Sequence, residues 1–301
     1  MNGVIVIDKP ADFTSFDVIA VVRRLTGQRK TGHTGTLDPN ATGVLPVLLG
    51  TATKAQDRIP NHDKAYLAEF RLGMTTDTLD IWGEVRSETP CRVTEDDILA
   101  LLPDFRGEIM QIPPMYSALK KDGQRLYDLA RKGVEVEREG RKVTVYRLEL
   151  VSFNIETQTG ALAVSCSKGT YVRTLIDDIG RCLGVGAVMT ALRRTEACGF
   201  TLSDCVTLDR LRQLSGEGSV ESVLLPTDSL FAVYPAVTVS DAQAKRFCNG
   251  GALDLSRTAL ANKNIDSKLC RVYDRTDCFV GLGRVCKDEN LLKIEKLFYK
   301  K

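Results

Sequence analysis

One loop of the sequence combines a carboxylate with the residue types that fix a backbone in turns. Residues 32–43 read GHTGTLDPNATG, which places Asp38 between glycines and just before the apolar run Val44–Leu49. A loop that re-enters a buried strand can position a side chain well, and a carboxylate held there can act as a nucleophile or a base. An aspartate before a proline is nevertheless more often a simple turn residue. Spacing alone therefore leaves both interpretations of Asp38 open.

The composition indicates a globular protein without a metal or cofactor motif. With 301 residues, 43% of them hydrophobic, the chain can form one large core and a second small one, so we expect two domains. The nine cysteines include no C-x-x-C pair, and the two histidines, His33 and His62, have no metal-site spacing. No glycine-rich segment fits a dinucleotide or phosphate loop. We expect no cofactor and no metal, and the odd cysteine count favours a reducing cytoplasm.

The charge is balanced overall and basic in one segment. A formal charge of +2 is too small to indicate a nucleic-acid-binding protein by itself. Between Lys120 and Arg147, however, nine Lys or Arg residues face five acids, which indicates either a phosphate-binding surface or a solvated charged face. The apolar run near the start is too short for a signal peptide, and no later stretch approaches a membrane span, so no membrane contact is expected.

Strands and helices follow each other without strict alternation, which predicts an α+β fold. Lys64–Leu72 alternates in period two and places Tyr66 on its apolar face. The chain between Lys30 and Gly43 favours turns over regular structure. Further strands are predicted at 4–7, 44–49, 108–112, 142–151, 161–167 and 187–195. Helices are predicted, from capping residues or terminal glycines, at 14–25, 94–102, 126–132, 171–183 and 207–214.

A small β-rich domain is predicted at the end of the chain. The pattern breaks in a proline-containing connection at 224–235. It is followed by a helix capped by Ser240 and Gln243, and by strands at 268–273, 278–286 and 291–298.

Several motifs resemble those of the TruB-type tRNA pseudouridine synthases. The family string GHTG-x-LDP-x-ATG-x-LP is complete here and ends at Pro46. Matching segments follow the family order at 8–10, 14–15, 64–66, 73–80, 113–131, 168–175 and 192–195. One departure is Asp12, where the family usually has glycine; aspartate tolerates a positive φ at some cost.

The resemblance implies a domain organisation and an activity. Residues 1–230 would form the pseudouridine synthase fold, a mainly antiparallel mixed sheet flanked by helices, with an RNA-clamping insertion near 113–147. Residues 231–301 would form a PUA-like RNA-binding domain. The implied reaction converts uridine 55 in the T-loop of tRNA to pseudouridine without a cofactor.

The resemblance also assigns roles to individual residues. Asp38 would be the catalytic carboxylate and Arg173 its ion-pair partner. Tyr171 would share the site with Arg173; we expect both in an extended segment before the helix, because residues two apart in a strand face the same way. The remaining assignments are Tyr66 stacking on the flipped base, Leu192 as an apolar floor, His33 filling the space that the base leaves in the RNA, and Asp80 ordering the RNA-facing side.

Three other functions compete with this one. The chain could be a non-catalytic RNA-binding or tRNA-folding protein, or an enzyme directed by a guide RNA. Guide-dependent relatives commonly carry lysine-rich tails, whereas the lysines near this terminus are only Lys293, Lys296, Lys300 and Lys301. A hydrolytic glycosidase would need a second well-placed carboxylate. We expect a stand-alone enzyme acting on tRNA, with no guide RNA or obligate protein partner, and we take a monomer as the default.

Overall fold

A large mixed sheet with helices on its faces dominates the computed structural model, which describes residues 1–261 and 267–298. Lys300 and Lys301 lie outside the described residues. The first strands are β1 (Gly3–Lys9), β2 (Thr31–His33), β3 (Thr42–Leu49), β4 (Lys64–Leu72), β5 (Met74–Thr76), β6 (Val85–Glu88) and β7 (Gly107–Gln111). They are followed by β8 (Lys120–Lys121), β9 (Gln124–Arg125), β10 (Arg141–Asn154), β11 (Thr159–Cys166), β12 (Ala187–Ala197), β13 (Phe200–Thr201) and β14 (Val206–Thr207).

The order of the large sheet is β14-β1-β3-β12-β4-β11-β10-β7, with β2 added to β3 and β13 added to β12. Its β1–β14 and β3–β12 pairs are parallel and its other pairs are antiparallel. The helices are α1 (Ser15–Thr26), α2 (Glu95–Leu101), α3 (Leu126–Ala130), α4 (Val172–Cys182), α5 (Leu208–Gly216) and α6 (Asp241–Cys248). The prediction of an α+β fold with a mainly antiparallel mixed sheet is confirmed.

The strands β1 and β3 are buried on both faces. Ile5 and Leu45 pack with α1 and α5 on one face, whereas Val4 and Leu48 pack on the other face against residues that include Leu282. A strand covered on both sides needs apolar residues at every position, which explains the continuous runs at 4–7 and 44–49. By contrast, β4 follows its predicted alternation, and its even-numbered residues from Tyr66 to Leu72 are buried.

Two local predictions are wrong. Lys30–Gly43 contains a short strand, β2, because its backbone pairs with the buried β3 although its side chains show no alternation. Tyr171 and Arg173 do not both precede the helix, since α4 begins at Val172 and Tyr171 is its extended N-cap residue. The side-chain oxygen of Gln111 accepts a bond from the Tyr171 N–H at 2.7 Å, and its amide donates to the Tyr171 carbonyl at 3.1 Å. This clamp fixes where the helix starts.

A second sheet of five strands lies at the end of the chain. Its strands are β15 (Ala236–Thr238), β16 (Leu253–Asp254), β17 (Leu269–Tyr273), β18 (Phe279–Cys286) and β19 (Leu291–Leu297), in the order β15-β17-β18-β19-β16. The three predicted terminal strands correspond to β17, β18 and β19. Phe231 is fully buried between the sheets, with ring centroids 6.2 Å from Phe279 and 5.5 Å from Phe298. The domain boundary at 230 stays a prediction.

Replacing Gly43 by alanine should destabilise the fold. Gly43 has φ +100°, and a Cβ there would lie 2.1 Å from the Arg194 carbonyl oxygen where β3 meets β12. We expect a loss of more than about 3 kcal/mol in the free energy of unfolding, since steric overlap adds to the positive-φ cost. Urea unfolding of Gly43→Ala measures it. The matched control is Gly27→Ala, with φ +63° and open space around its Cβ, which should lose only about 1 kcal/mol. Equal losses in both variants would contradict the steric argument.

Candidate active site

The loop that carries Asp38 is anchored to the first turn of α1. The hydroxyl of Ser15 accepts a bond from the Leu37 N–H at 2.8 Å and donates to the Leu37 carbonyl at 3.2 Å. Thr14 and Asp17 form the predicted capping box that starts this helix, so Ser15 has a fixed position. Within the loop, the Ala41 N–H donates to the Asp38 carbonyl at 3.1 Å. The backbone on both sides of Asp38 is therefore held by hydrogen bonds.

Two fully buried cations bind carbonyl groups of the Asp38 loop and of the segments next to it. The Lys9 ammonium donates to the carbonyls of Pro10, Phe13 and Pro39. The Arg194 guanidinium donates to the carbonyls of Val44, Gly35 and Thr36 at 2.7, 3.2 and 3.4 Å. Burial lowers the pKa of Lys9 to about 8. These two side chains form a cationic cradle, Lys9 and Arg194, beneath the loop.

Arg173 makes the contact that orients the Asp38 carboxylate. Its Nε lies 3.0 Å from Oδ2 of Asp38, and its two terminal nitrogens donate to the carbonyls of Thr78 at 2.9 Å and Tyr116 at 3.0 Å. The Arg173 side chain is only 5% exposed, whereas that of Asp38 is 44% exposed. Arg173 is therefore buried and is not half of an ordinary surface ion pair. The Asp38 carboxylate is thus held by a buried guanidinium and is still accessible to solvent.

Asp80 is a second carboxylate beside the same guanidinium. Its Oδ2 lies 3.6 Å from Nη1 of Arg173, and its Oδ1 accepts bonds from the Thr78 hydroxyl at 2.6 Å and the Trp82 N–H at 3.2 Å. Burial raises the pKa of Asp80, while Thr78 and Arg173 oppose that shift. Since only 14% of its side chain is exposed, Asp80 is a structural partner of Arg173 and not a solvated turn residue.

Tyr66 and Leu192 lie on the adjacent strands β4 and β12, in one apolar cluster with Leu37 and Ala41. Tyr66 is 8% exposed and Leu192 is 9% exposed. Burial raises the pKa of Tyr66 to about 12, against an opposing effect of the Arg194 guanidinium, so the phenol is neutral at physiological pH. The apolar wall beside Asp38 thus combines an aromatic ring with an aliphatic side chain.

Tyr171 and His33 complete the set of predicted residues. Burial raises the pKa of the Tyr171 hydroxyl, against smaller opposing effects of Ser117 and Arg173. His33 ends β2, and burial followed by the nearby Arg194 lowers its pKa, so its imidazole is neutral at pH 7. The structure therefore brings Asp38, Arg173 and Asp80 into one charged network, places Tyr171 beside it, and places His33 next to the cationic cradle.

Three residues that hold the site were not identified as functional from the sequence. Lys9 and Arg194 occur within segments that match the family pattern, but nothing in their spacing showed that they bind the Asp38 loop. Gln111 ends β7 and clamps the backbone of Tyr171. It is only 2% exposed, and a buried amide in a strand is the only local signal that could have indicated it.

The insertion near 113–147 carries a basic concavity of about 530 Å³. It is lined by residues of β8, β9 and α3, which include Lys120 and Tyr127, and by Lys132 after α3. The Tyr127 ring lies between two guanidinium groups, 5.6 Å from that of Arg125 and 5.5 Å from that of Arg131. The beginning of the insertion contacts the active site, because Tyr116 provides a carbonyl to Arg173 and its hydroxyl donates to Asp77 at 2.9 Å.

Two further features concern metal ions and membrane spans. Within residues 1–261 and 267–298, no group of three or more His, Cys, Asp or Glu side chains is arranged to hold a metal ion. In the same part of the chain, none of the helices has the length and apolar character that a membrane span requires.

Three family models match consecutive parts of the chain. The TruB family pseudouridylate synthase N-terminal domain matches residues 23–172, and the tRNA pseudouridylate synthase B C-terminal domain matches 173–232. The model named Pseudouridine synthase II TruB, C-terminal, matches 235–294. Together they cover most strands of both sheets, although β1 lies before the first match.

Curated relatives match over nearly the whole chain. A tRNA pseudouridine synthase B from Pseudomonas fluorescens is 49% identical over 291 residues, which are 96% of this chain and 93% of that protein. Another from Clostridium perfringens is 45% identical over 300 residues, with 99% of each chain covered.

Solved structures show the same fold. A Cbf5-Nop10-Gar1 complex contains a chain that superposes with a TM-score of 0.74 at 28% identity, covering 99% of this chain and 85% of that one. A H/ACA RNP bound to a substrate RNA containing 2'-deoxyuridine gives a TM-score of 0.74 at 26% identity, with the same coverage. From the matched domains, the full-length relatives and the shared fold, we conclude that this chain belongs to the TruB family of pseudouridine synthases.

Proposed function

We propose that this enzyme converts uridine 55 in the T-loop of tRNA to pseudouridine, with Asp38 as the catalytic carboxylate. The observation that carries the proposal is the Asp38–Arg173 pair, in which a buried guanidinium 3.0 Å away orients a half-exposed carboxylate. The names of the curated relatives support tRNA as the substrate, because they are called tRNA pseudouridine synthase B and align over nearly the whole chain.

The reaction requires no redox change and no net hydrolysis. The N1–C1′ bond of the uridine breaks, the uracil turns over, a C5–C1′ bond forms, and the C5 proton is lost while N1 gains one. Asp38 can attack C1′ or C6 as a nucleophile, or remove a ribose proton to give a glycal. Each route needs a carboxylate with an accessible oxygen, which the 44% exposure of the Asp38 side chain provides.

The target base must leave its stack before Asp38 can reach it. Unstacking costs a few kcal/mol, and a pocket recovers this cost through stacking and edge hydrogen bonds. Tyr66 offers a neutral aromatic ring for stacking, worth about 1–3 kcal/mol, and Leu192 offers an apolar floor on the neighbouring strand. We assign both to the base, and we assign Tyr171, which is packed beside Arg173, to the same pocket. We assign the neutral imidazole of His33, at the start of the Asp38 loop, to the space that the flipped base leaves in the RNA.

Arg173 keeps the carboxylate in one orientation. A guanidinium presents its donors in a planar fork, so the carbonyls of Thr78 and Tyr116 fix its plane while Nε holds Asp38. Asp80 adds a second negative charge to the same group and orders the turn that faces the RNA. The effect is preorganisation, since the reacting group does not have to search for its geometry during the reaction.

The RNA contacts extend beyond the pocket. The basic concavity around Tyr127 fits phosphate groups, which makes binding weaker as salt rises. We assign residues 113–147 to an RNA clamp and residues 231–301 to a PUA-like RNA-binding domain. We infer a cytoplasmic, monomeric enzyme, and the odd number of cysteines, with no C-x-x-C pair, supports a reducing compartment.

Experiments can distinguish the proposed function from two others, a guide-directed enzyme and a hydrolytic glycosidase. The neighbours of known structure occur in a Cbf5-Nop10-Gar1 complex and an H/ACA RNP. The greater identity to proteins named tRNA pseudouridine synthase B supports action without a guide RNA or obligate protein partner. A glycosidase would use Asp80 as its second acid; that carboxylate is already bound to Thr78, Trp82 and Arg173 and is only 14% exposed. Release of free uracil would favour hydrolysis.

Asp38→Asn should abolish turnover and retain RNA binding. The amide keeps the shape of the side chain but lacks the nucleophilic and basic character, so the rate should fall by roughly a thousandfold or more. Tritium release from tRNA labelled at uridine C5, with no guide RNA added, measures turnover, and mapping of the modified position tests uridine 55. Asp104→Asn, at an exposed position in a short helical turn, is the matched control and should keep full activity. Retention of activity by Asp38→Asn would refute the assignment.

Arg173→Lys should impair both activity and stability. Lysine cannot reach Asp38 and two carbonyls in the geometry of the planar fork, so we expect about a hundredfold loss in kcat and about 2–4 kcal/mol in the free energy of unfolding. Single-turnover kinetics and urea unfolding measure the two effects. Arg181→Lys on the exposed side of the same helix, where the side chain is 64% exposed, is the control and should change stability by less than about 1 kcal/mol. A kcat unchanged in Arg173→Lys would show that the pair does not orient Asp38.

The stability contribution of Lys9 should depend on pH. Its folded pKa of about 8 lies below the ordinary value of 10.5, so between these values the unfolded chain binds the Lys9 proton more strongly than the folded chain does. The free energy of unfolding of the wild type relative to Lys9→Met should therefore rise with pH through this window, by at most about 1.4 kcal/mol per pH unit. Urea unfolding of both proteins at several pH values measures the difference. A difference that is flat or falling would contradict a lowered pKa.

A further inference from the structure

The chain contains one tryptophan, Trp82, and half of it is exposed. It lies in the turn between β5 and β6, and its relative exposure is 52%. Tryptophan has a large apolar body that is highly buried on average, so an open indole in a folded protein commonly marks a contact surface. The mechanism described above does not use this side chain.

The turn that presents Trp82 is rigid. Leu79 adopts a positive φ of 65°, and the Thr76 hydroxyl donates to the Asp80 carbonyl at 2.7 Å. The Ile81 N–H donates to Met189 of β12 at 2.9 Å. A Cβ at Gly83 would lie 2.2 Å from the Thr78 hydroxyl, so the backbone closes tightly after the tryptophan. A side chain on such a turn loses little conformational freedom on binding.

Trp82 is connected to the catalytic carboxylate through Asp80. The Trp82 N–H donates to one Asp80 oxygen at 3.2 Å, and the other oxygen lies 3.6 Å from Arg173, which holds Asp38 at 3.0 Å. The Trp82 backbone therefore lies beside the charged network of the site, and its half-exposed indole is carried on the same turn. Any RNA whose target nucleotide reaches Asp38 passes close to this turn.

The charge of the turn selects what the indole can contact. Residues 77–84 read DTLDIWGE, with three acids and no Lys or Arg. A phosphate is disfavoured next to these carboxylates, whereas the neutral face of a nucleobase is not. Every base has a π-face, and stacking on an aromatic side chain tolerates any sequence.

We propose that Trp82 stacks on an unpaired base that neighbours the target nucleotide in the RNA substrate. This role rests on the proposed function, since it requires an RNA loop in the site. Tyr66 would hold the flipped base itself, and Trp82 would hold the part of the loop that remains outside. The tryptophan is then a positioning residue that contributes to substrate binding.

The single tryptophan permits a direct test by fluorescence. T-arm RNA carrying a dye is added to Asp38→Asn protein, and dye anisotropy reports binding while Trp82 emission is recorded with and without acrylamide. Stacking predicts that the emission is quenched and that acrylamide loses access to the indole as the complex forms. Binding by anisotropy with Trp82 emission and acrylamide access unchanged overturns the proposal. If no RNA binds at all, the proposed function fails as well, so the two failures are distinguishable.

Kinetics of variants separate stacking from a structural role. Trp82→Ala should raise KM by roughly 5- to 100-fold and leave kcat within about twofold, while Trp82→Tyr should restore most of the affinity. Ile155→Ala, at an apolar position that is 55% exposed in the turn between β10 and β11, is the control and should keep the wild-type KM. A fall in kcat and thermal stability of Trp82→Ala without a change in KM, or equal defects in the alanine and tyrosine variants, would assign Trp82 to the fold and overturn the proposal.

Discussion

The ion pair between Asp38 and Arg173 is the interaction on which the other features of the site depend. A guanidinium that is 95% removed from solvent is costly to bury unless each of its donors has a partner. The partners of this α4 side chain come from three separated parts of the chain: the Asp38 loop, the turn at 78–80, and Tyr116 at the start of the insertion. One side chain thereby joins elements that are distant in sequence, and the same contacts that satisfy its charge fix the reacting carboxylate.

A second group of buried charges acts on the backbone. Lys9 and Arg194 bind carbonyl oxygens on both sides of Asp38 and are fully buried. Carbonyl dipoles compensate a buried cation less well than a carboxylate does, and the lowered pKa of Lys9 shows this cost. The Asp38 loop is thus held rigidly over the cationic cradle, a local positive charge in a protein whose formal charge is only +2. The local field, and not the net charge, is therefore the relevant electrostatic property for an anionic substrate.

Local patterns were sufficient to predict most of the fold. The capping boxes at Thr14, Thr94 and Ser240 all form, and β4 has the bounds that its alternation predicts. The strand β2 was missed because its pairing with β3 gives no alternation of its own. Of the site, the loop and its carboxylate followed from a motif resemblance, whereas the functions of Lys9, Arg194 and Gln111 did not. Those functions depend on contacts with backbone that is distant in sequence. Lysine, arginine and glutamine are usually exposed, and nothing in the local sequence shows that these three are buried.

The hydrogen bonds between Gln111 and the Tyr171 backbone have a consequence for how the insertion can vary in sequence and length. Gln111 fixes Tyr171 just before the insertion, and the Tyr116 carbonyl fixes Arg173 at its start. Near the end of the insertion, Val143 and Val145 return the chain to the core. The hairpin and short helix between these anchors, at 120–130, make no hydrogen bond to Asp38, Arg173 or Asp80 among the described contacts. That segment is thus an exchangeable module: its length and charge can diverge, or be replaced by engineering to suit a different RNA, while the chemistry beneath it stays intact.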